Sequence, residues 1–425
     1  MPSDAIVVGG GVAGLVAARR LALEGLGATV LERTGRLGGQ VARQRVGGVD
    51  LDAAAESFAT RGGAVAALLA ELGLGQDIVY PRADPAWLHR ADGTAVPLPA
   101  TGLLGIPGDP LASDVVRAIG RAAAERASLD ASLPASEGAD ASSLGELVRL
   151  RMGAAVVDGL VAPVVRGVHS STPDDLAVER AHPRLREELV RRGSLAAAVL
   201  ALRAASPAGS AVAGIRGGMF RLVDALEADC ARLGVTFELD AAVDDVGLDR
   251  VTVAGEVRHG IVVRASGAAD PVDDRMVTLV TLVLDAPSLD RAPRGTGILV
   301  SADAPGVRAR ALTHLTAKWD WIAEAFPGRH AVRLSYDGTP DNPIETATRD
   351  AGILLAAPLE HVVDANVHRW VRGSAAHASD VAAVGESVSG TGLASVVPHA
   401  ERIARDISAS SRIGRGPRSR ARMEG

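Results

Sequence analysis

The chain has 425 residues, 47% of them hydrophobic and 23% charged, with a net charge of −6. That balance suits two or three globular domains and excludes a disordered chain, a collagen and a bundle of membrane spans. It also argues against a nucleic-acid surface. Cys230 is the only cysteine, so no internal disulfide and no cysteine-rich metal site is possible, and the ten histidines show no ligand spacing. No metal is expected. A strand starting at Ala5 leaves no signal peptide, and no stretch reaches the ~18 apolar residues of a membrane helix. A cytoplasmic protein without an integral membrane segment is expected, monomer or homodimer.

Ile6, Val7 and Val8 predict a buried parallel strand. Gly9, Gly10, Gly11, Val12, Ala13 and Gly14 follow and fit Gly-x-Gly-x-x-Gly. Residues 12–25 predict a helix, Ala28 to Leu31 a second strand, and Glu32 stands at its end. This β-α-β unit is the pattern of a dinucleotide site. Gly9 permits the tight turn, Gly11 the approach of a pyrophosphate, and Gly14 close helix–strand packing. The helix N-terminus offers free N–H groups to phosphate, and Glu32 can accept ribose hydroxyls.

Glu32-Arg33-Thr34-Gly35-Arg36-Leu37-Gly38-Gly39, with Gln40 next, resembles the Glu-x-x-x-Arg-x-Gly-Gly continuation of FAD-dependent amine oxidases. Arg36 can neutralise phosphate charge. No second glycine fingerprint follows for a nicotinamide, so one FAD is expected.

In mid-chain, Gly217-Gly218-Met219 precedes a predicted helix over 220–233 and strands at 235–239, 242–246 and 261–263. Near the end, a strand at 381–384 leads into Gly385, Glu386, Thr391, Gly392 and Leu393 and a helix to about Ser408, which Pro398 should kink or delay. The expected fold is α/β. A Rossmann-like FAD domain is assembled from residues 1–80, 210–268 and 378–409, with a helical and substrate-binding lobe over 81–209 and a substrate-binding sheet over 269–377. Residues 130–142 read as an exposed linker. Residues 410–425 carry five arginines and one glutamate and read as a disordered basic tail.

Several further segments carry a more specific likeness: DAAAESFATRGGAVAALLAELGL from Asp52, LPATGLLGIPGDP from Leu98, the Arg-Met-Gly…Pro-Val-Val-Arg-Gly-Val-His run within 151–169, ALTHLTAKWDW from Ala311 and AVRLSY from Ala331. With the flavin motifs, the chain resembles the protoporphyrinogen/coproporphyrinogen oxidases, in particular the soluble actinobacterial type. The resemblance implies oxidation of coproporphyrinogen III to coproporphyrin III for haem synthesis. Six electrons leave in three two-electron steps, with oxygen as acceptor and hydrogen peroxide as product. It also implies that Ala54, Ala55, Glu56, Ser57 and Trp370 lie near the flavin, that Val243 meets the adenine, and that the helix after Leu393 points at the flavin ring. Relatives usually have Gly where this chain has Ala54, and a longer segment after Trp370.

Arg61, following Glu-Ser-Phe, is the first candidate for a polar active-site residue. Arg166 and His169 are the next, since four propionates favour Arg or His. Leu103, Leu104, Ile106, Val164, Val165 and Val168 are candidate walls. Lys318 reads better as solvated or structural. Protoporphyrinogen oxidation, another flavin amine oxidase or a desaturase, and a non-catalytic homologue remain open, because fold does not fix function.

Overall fold

The computed structural model describes residues 4–169, 171–204, 212–265, 275–359, 361–372 and 380–414. As the composition and motifs predict, it is a mixed α/β fold. A five-stranded parallel sheet takes its strands from three separated stretches: Thr236–Glu238, Ala28–Leu31, Ala5–Val8, Ile261–Arg264 and Ala382–Ala383, in that spatial order. The first strand is buried at every position, as its uninterrupted apolar run requires. Helices Val12–Leu23, Phe220–Arg232 and Leu393–Gly414 cover the sheet and share one core with it. Cys230 lies inside this core, and burial pushes its thiol up to about 12.

The Leu393–Gly414 helix corrects two expectations. It begins at Leu393 with Pro398 inside it, so the proline does not delay it. It also runs to Gly414, into the stretch read as tail. Residues 415–425 of that tail lie outside the described residues.

A seven-stranded sheet forms the second layer, in the order His361–Arg372, Arg275–Asp285, His330–Asp337, Ala311–His314, Gly297–Val300, Trp87–His89 and Ala95–Pro97. The last two strands come from the stretch read as the helical lobe. Strand residues alternate between faces. Val280, Leu282, Val332, Leu334 and Tyr336 pack under the Pro343–Leu355 helix. The alternate residues face the dinucleotide domain, and there Gln44 Nε2 donates to Thr281 Oγ1 at 2.9 Å.

The helical lobe has its own core. Its keystone is Arg151, fully buried with Asp130. Arg151 donates to the Asp130 carboxylate and to the carbonyl oxygens of Asp130, Pro134, Glu137 and Gly193. The Asp130 carboxylate also accepts the backbone N–H groups of Leu195 and Ala196, capping the Leu195–Ala204 helix. The segment read as an exposed linker is therefore tied down by a buried ion pair. Ile106 and Val165 are fully buried in this lobe's core rather than lining a cavity. A π-turn over Val157–Val161 leads into the Ala162–His169 helix. Pro163 has no N–H for the Gly159 carbonyl, and the widened turn absorbs that loss.

Candidate functional site

The glycine loop fits a dinucleotide. Gly9 has φ +110°, and a Cβ at Gly14 would sit 2.0 Å from the Gly9 oxygen, so helix and strand meet only with glycine there. A Cβ at Gly11 would meet nothing within 4 Å, which leaves its backbone facing open space. The Val12–Leu23 helix starts at Gly11 without a side-chain cap, so its first N–H groups are available to phosphate oxygens. Val12 and Ala13 are buried in its first turn.

Glu32 is buried at the end of its strand. Its carboxylate accepts the Gly10 N–H at 2.7 Å, the Thr34 N–H at 3.0 Å and the Thr34 hydroxyl at 2.8 Å. These bonds lock the loop and leave lone pairs for ribose hydroxyls. Arg33 is exposed. Arg36 donates to the Gly39 carbonyl at 3.0 Å and so braces the second glycine turn. Gly38 and Gly39 have φ +100° and +59°, and Gly38 N–H donates to Gly10 O at 2.8 Å. Ala241 N–H donates to Glu32 O at 2.9 Å, which holds the strand bearing Val243 beside Glu32.

The far end of the chain closes on this loop. Gln40 Nε2 donates to Glu386 at 3.4 Å, and Glu386 accepts the Gly392 N–H at 3.1 Å. Gly385 has φ +108°. Thr391 lies in the loop before Leu393, where the last helix begins. Arg61 sits in the exposed turn before the Ala64–Glu71 helix and donates to Ser395 Oγ at 3.1 Å, in the first turn of that last helix.

Between the two layers lies a charged cluster that the sequence left largely unassigned. Lys318 Nζ donates to Glu56 Oε1 at 2.5 Å, and Arg333 Nη1 to Glu56 Oε2 at 3.3 Å. Arg333 also donates to the carbonyl oxygens of Ala54 and Asp52. Burial opposes ionisation of Glu56, but Lys318 and Arg333 outweigh it and hold the carboxyl below its ordinary range. Of the two readings of Lys318, solvated or structural, the structural one holds, and Arg333 was missed. The available signal was alternation in Ala331–Tyr336, where Arg333 and Ser335 interrupt an apolar strand. Ala55 and Ser57 are half-buried beside Glu56. Asp52 accepts the N–H groups of Met219 and Phe220 at 2.9 and 3.0 Å, and burial pushes its carboxyl up to about 7.

The sheet face opposite the dinucleotide domain forms a grid. Trp370 pairs with Val277, His368 with Leu279, and Asn366 with Thr281. Leu279 pairs on with Ser335 and Thr281 with Arg333, and these with Ala311 and Thr313. Neighbouring strands are about 4.8 Å apart, and this floor mixes the apolar Val277, Leu279 and Ala311 with the polar Thr281, Arg333, Ser335 and Asn366, much of it buried under the dinucleotide domain. At its far edge Arg310 donates to Ser335 Oγ at 2.7 Å and to Asp337 at 2.8 Å, and Arg166 meets Asp337 at 3.3 Å. The Arg166 helix docks closely here, since a Cβ on Gly167 would sit 2.5 Å from Leu299. Of the other residues named with Arg166, His169 ends the same helix, but its side chain and that of Val168 lie outside the described residues, as do residues 373–379 of the shortened segment. No group of three or more His, Cys, Asp or Glu able to hold a metal occurs among the described residues, and none of their helices is long and apolar enough to cross a membrane.

The family described as flavin containing amine oxidoreductase matches residues 12–272. The chain belongs to that family. A flavin on a dinucleotide loop is FAD, and FAD is the cofactor. Over most of its length the chain is similar to curated proteins named coproporphyrinogen III oxidase. That of Mycobacterium tuberculosis is 28% identical over 87% of this chain and 86% of its own. That of Staphylococcus aureus is 23% identical over 84% of each. The porphyrinogen-oxidase likeness read from the sequence is therefore the one found. Among solved structures, an Exiguobacterium sp. 255-15 protein provisionally assigned as a protoporphyrinogen oxidase aligns over 96% of this chain and 99% of its own, with a TM-score of 0.80 and 21% identity. Cyclohexylamine oxidase from Brevibacterium oxydans IH-35A aligns over 97% of this chain and 100% of its own, with a TM-score of 0.66 and 14% identity. Both share the fold.

Proposed function

We propose that the protein oxidises coproporphyrinogen III to coproporphyrin III in three two-electron steps, with oxygen as the final acceptor and hydrogen peroxide released, as a step of haem synthesis. The observation that carries this reading is the near full-length similarity to coproporphyrinogen III oxidases. The floor supports it on chemical grounds. Arg333, Lys318, Arg166 and Arg310 set four cations against the three carboxylates of Glu56, Asp337 and Asp364. That excess favours a substrate bearing propionates and disfavours an alkylammonium. Val277, Leu279 and Ala311 offer an apolar strip to a macrocycle beside these cations.

Bound FAD supplies the two-electron acceptor. The glycine loop, Glu32 and Arg36 hold the cofactor's phosphates and ribose, and Val243 meets its adenine. The Ala54–Ser57 turn, Trp370 and the first turn of the last helix flank the flavin ring. Arg61, Arg166 and His169 hold propionates and orient the macrocycle against it. The test is to mix FAD-loaded protein with coproporphyrinogen III in air. Porphyrin fluorescence should rise well above the spontaneous rate, with three peroxides per porphyrin. A rate no faster than the spontaneous one, despite bound FAD, contradicts the proposal.

A further inference from the structure

The His361–Arg372 strand turns Asp364, Asn366, His368 and Trp370 to the face that looks at the dinucleotide domain. Asp364 is committed to the 43–52 hairpin, where it accepts the Gly47 N–H at 2.7 Å. His368 is half-buried, and its ring has no hydrogen-bond partner among the described residues. The other ionisable groups of the floor are already engaged. Arg333 and Lys318 are cations without a free lone pair, Glu56 is held by both, and Asp337 is held by Arg166 and Arg310. The Ser335 hydroxyl accepts from Arg310. Among the described groups of this face, His368 alone presents a basic atom that nothing occupies.

We propose that His368 is the proton acceptor of the reaction, taking a pyrrole N–H proton in each two-electron step. This rests on the porphyrinogen reading above. With FAD bound, a meso C–H bond would break and its hydrogen leave with the electron pair as hydride, for which FAD would supply the two-electron acceptor. The nitrogen's conjugated lone pair closes the new C=N bond as hydride leaves, the N–H bond then breaks with its electron pair staying on nitrogen, and the proton goes to the imidazole. Loss of hydride leaves the conjugated N–H strongly acidic, so a weak base suffices. The half-exposed ring then returns its proton to water.

The surroundings keep the imidazole neutral. Burial, then the charges of Arg36 from the glycine turn and Arg333 from the floor, hold His368 below its ordinary value. The hairpin strand packed on the same side carries Arg43 and Arg45, which are tied to Asp50 and Asp224. A neutral imidazole at pH 7 accepts a proton, and Arg333 helps to expel it afterwards, the charge of Arg36 being met by phosphate once FAD is bound.

The test uses FAD-loaded protein without oxygen, mixed with coproporphyrinogen III, and follows bleaching of the flavin. His368→Asn should slow bleaching by about 10²- to 10⁴-fold and remove the acidic limb of the wild-type pH profile, where the rate falls as His368 protonates. Coproporphyrin III affinity should stay within about threefold. Arg369→Gln, one residue along and on the opposite face, should match wild type. A readout free of turnover is labelling with diethyl pyrocarbonate, located by mass spectrometry. His368 should label at pH 7, and coproporphyrin III should protect it about tenfold.

Bleaching within about threefold of wild type in both His368→Asn and His368→Gln overturns the assignment, as does an acidic limb that persists in them. If the variants lose FAD, the labelling decides: an imidazole that porphyrin does not protect overturns it. Failure of the wild type itself to bleach overturns the porphyrinogen reading and this role with it. Bleaching by wild type and variants alike overturns the role of His368 alone.

Discussion

The glycine loop and the sheet floor opposite it are built by different means. The loop is made of backbone. Gly9 to Gly14 and Glu32 to Gly39 are near neighbours in sequence, and the bonds that fix them are N–H groups meeting Glu32 and Gly10. The floor is made of side chains from alternate positions on separate strands. Its strand residue Arg333 meets Glu56, which lies in a loop 277 residues away. A site made of consecutive backbone tolerates few residues, and a sequence spells it out. A site made of distant side chains depends on register, which only the fold supplies.

The predictions sharpen that contrast. The largest effect is expected where long-range charge is fully buried. Arg151→Ala strands Asp130 and the helix it caps, and should cost about 3–5 kcal/mol in denaturant unfolding. A cost below about 1 kcal/mol would mean that the lobe does not depend on this pair. Next comes the backbone site. Gly14→Ala forces a Cβ against the Gly9 oxygen and should cost about 1–3 kcal/mol, with loss of bound FAD by absorbance. Retained FAD would show that the loop yields where its geometry says it cannot.

Glu56→Gln leaves Lys318 and Arg333 facing each other and should cost about 3 kcal/mol. Adding Lys318→Met should recover part of it, and a double-mutant cycle reads the coupling. Simple additivity would say that the pair contributes nothing beyond its parts. Asp52 supplies a pH test. Burial pushes its folded carboxyl up to about 7 from the ordinary 3.8, so the folded state holds the extra proton between them. Wild-type stability should therefore fall as pH rises from about 4 to about 7, and Asp52→Asn should flatten that slope. An unchanged slope would show Asp52 ionised throughout. The smallest effect is Arg61→Ala. It should leave stability within about 0.5 kcal/mol while lowering kcat/KM for coproporphyrinogen III about tenfold. An unchanged kcat/KM would remove Arg61 from the site.

The same contrast explains what the sequence made legible. The first strand, first helix, second strand and Glu32 could be read almost residue by residue, because local steric demands put glycine at fixed offsets. The end of the chain was legible as a helix start but not in detail, since Pro398 signals a delay and the helix, packed on the sheet, begins at Leu393 all the same. Asp130 looked like part of a polar linker. Only its partner Arg151, in a helix of its own, gives it a buried place. Lys318 could be read only as solvated or structural, because nothing near it in sequence shows Glu56. Arg333 and His368 each stand at polar positions of an alternating strand. That pattern marks a face, but not what the face meets.

The central claim is that this flavoprotein acts on a porphyrinogen. The most direct measurement is the rate of flavin bleaching without oxygen, with coproporphyrinogen III, protoporphyrinogen IX and a primary diamine offered in turn. The account predicts rapid bleaching by coproporphyrinogen III, slower bleaching by protoporphyrinogen IX with its two fewer carboxylates, and none by the diamine. Bleaching by the diamine with none by either porphyrinogen would contradict it.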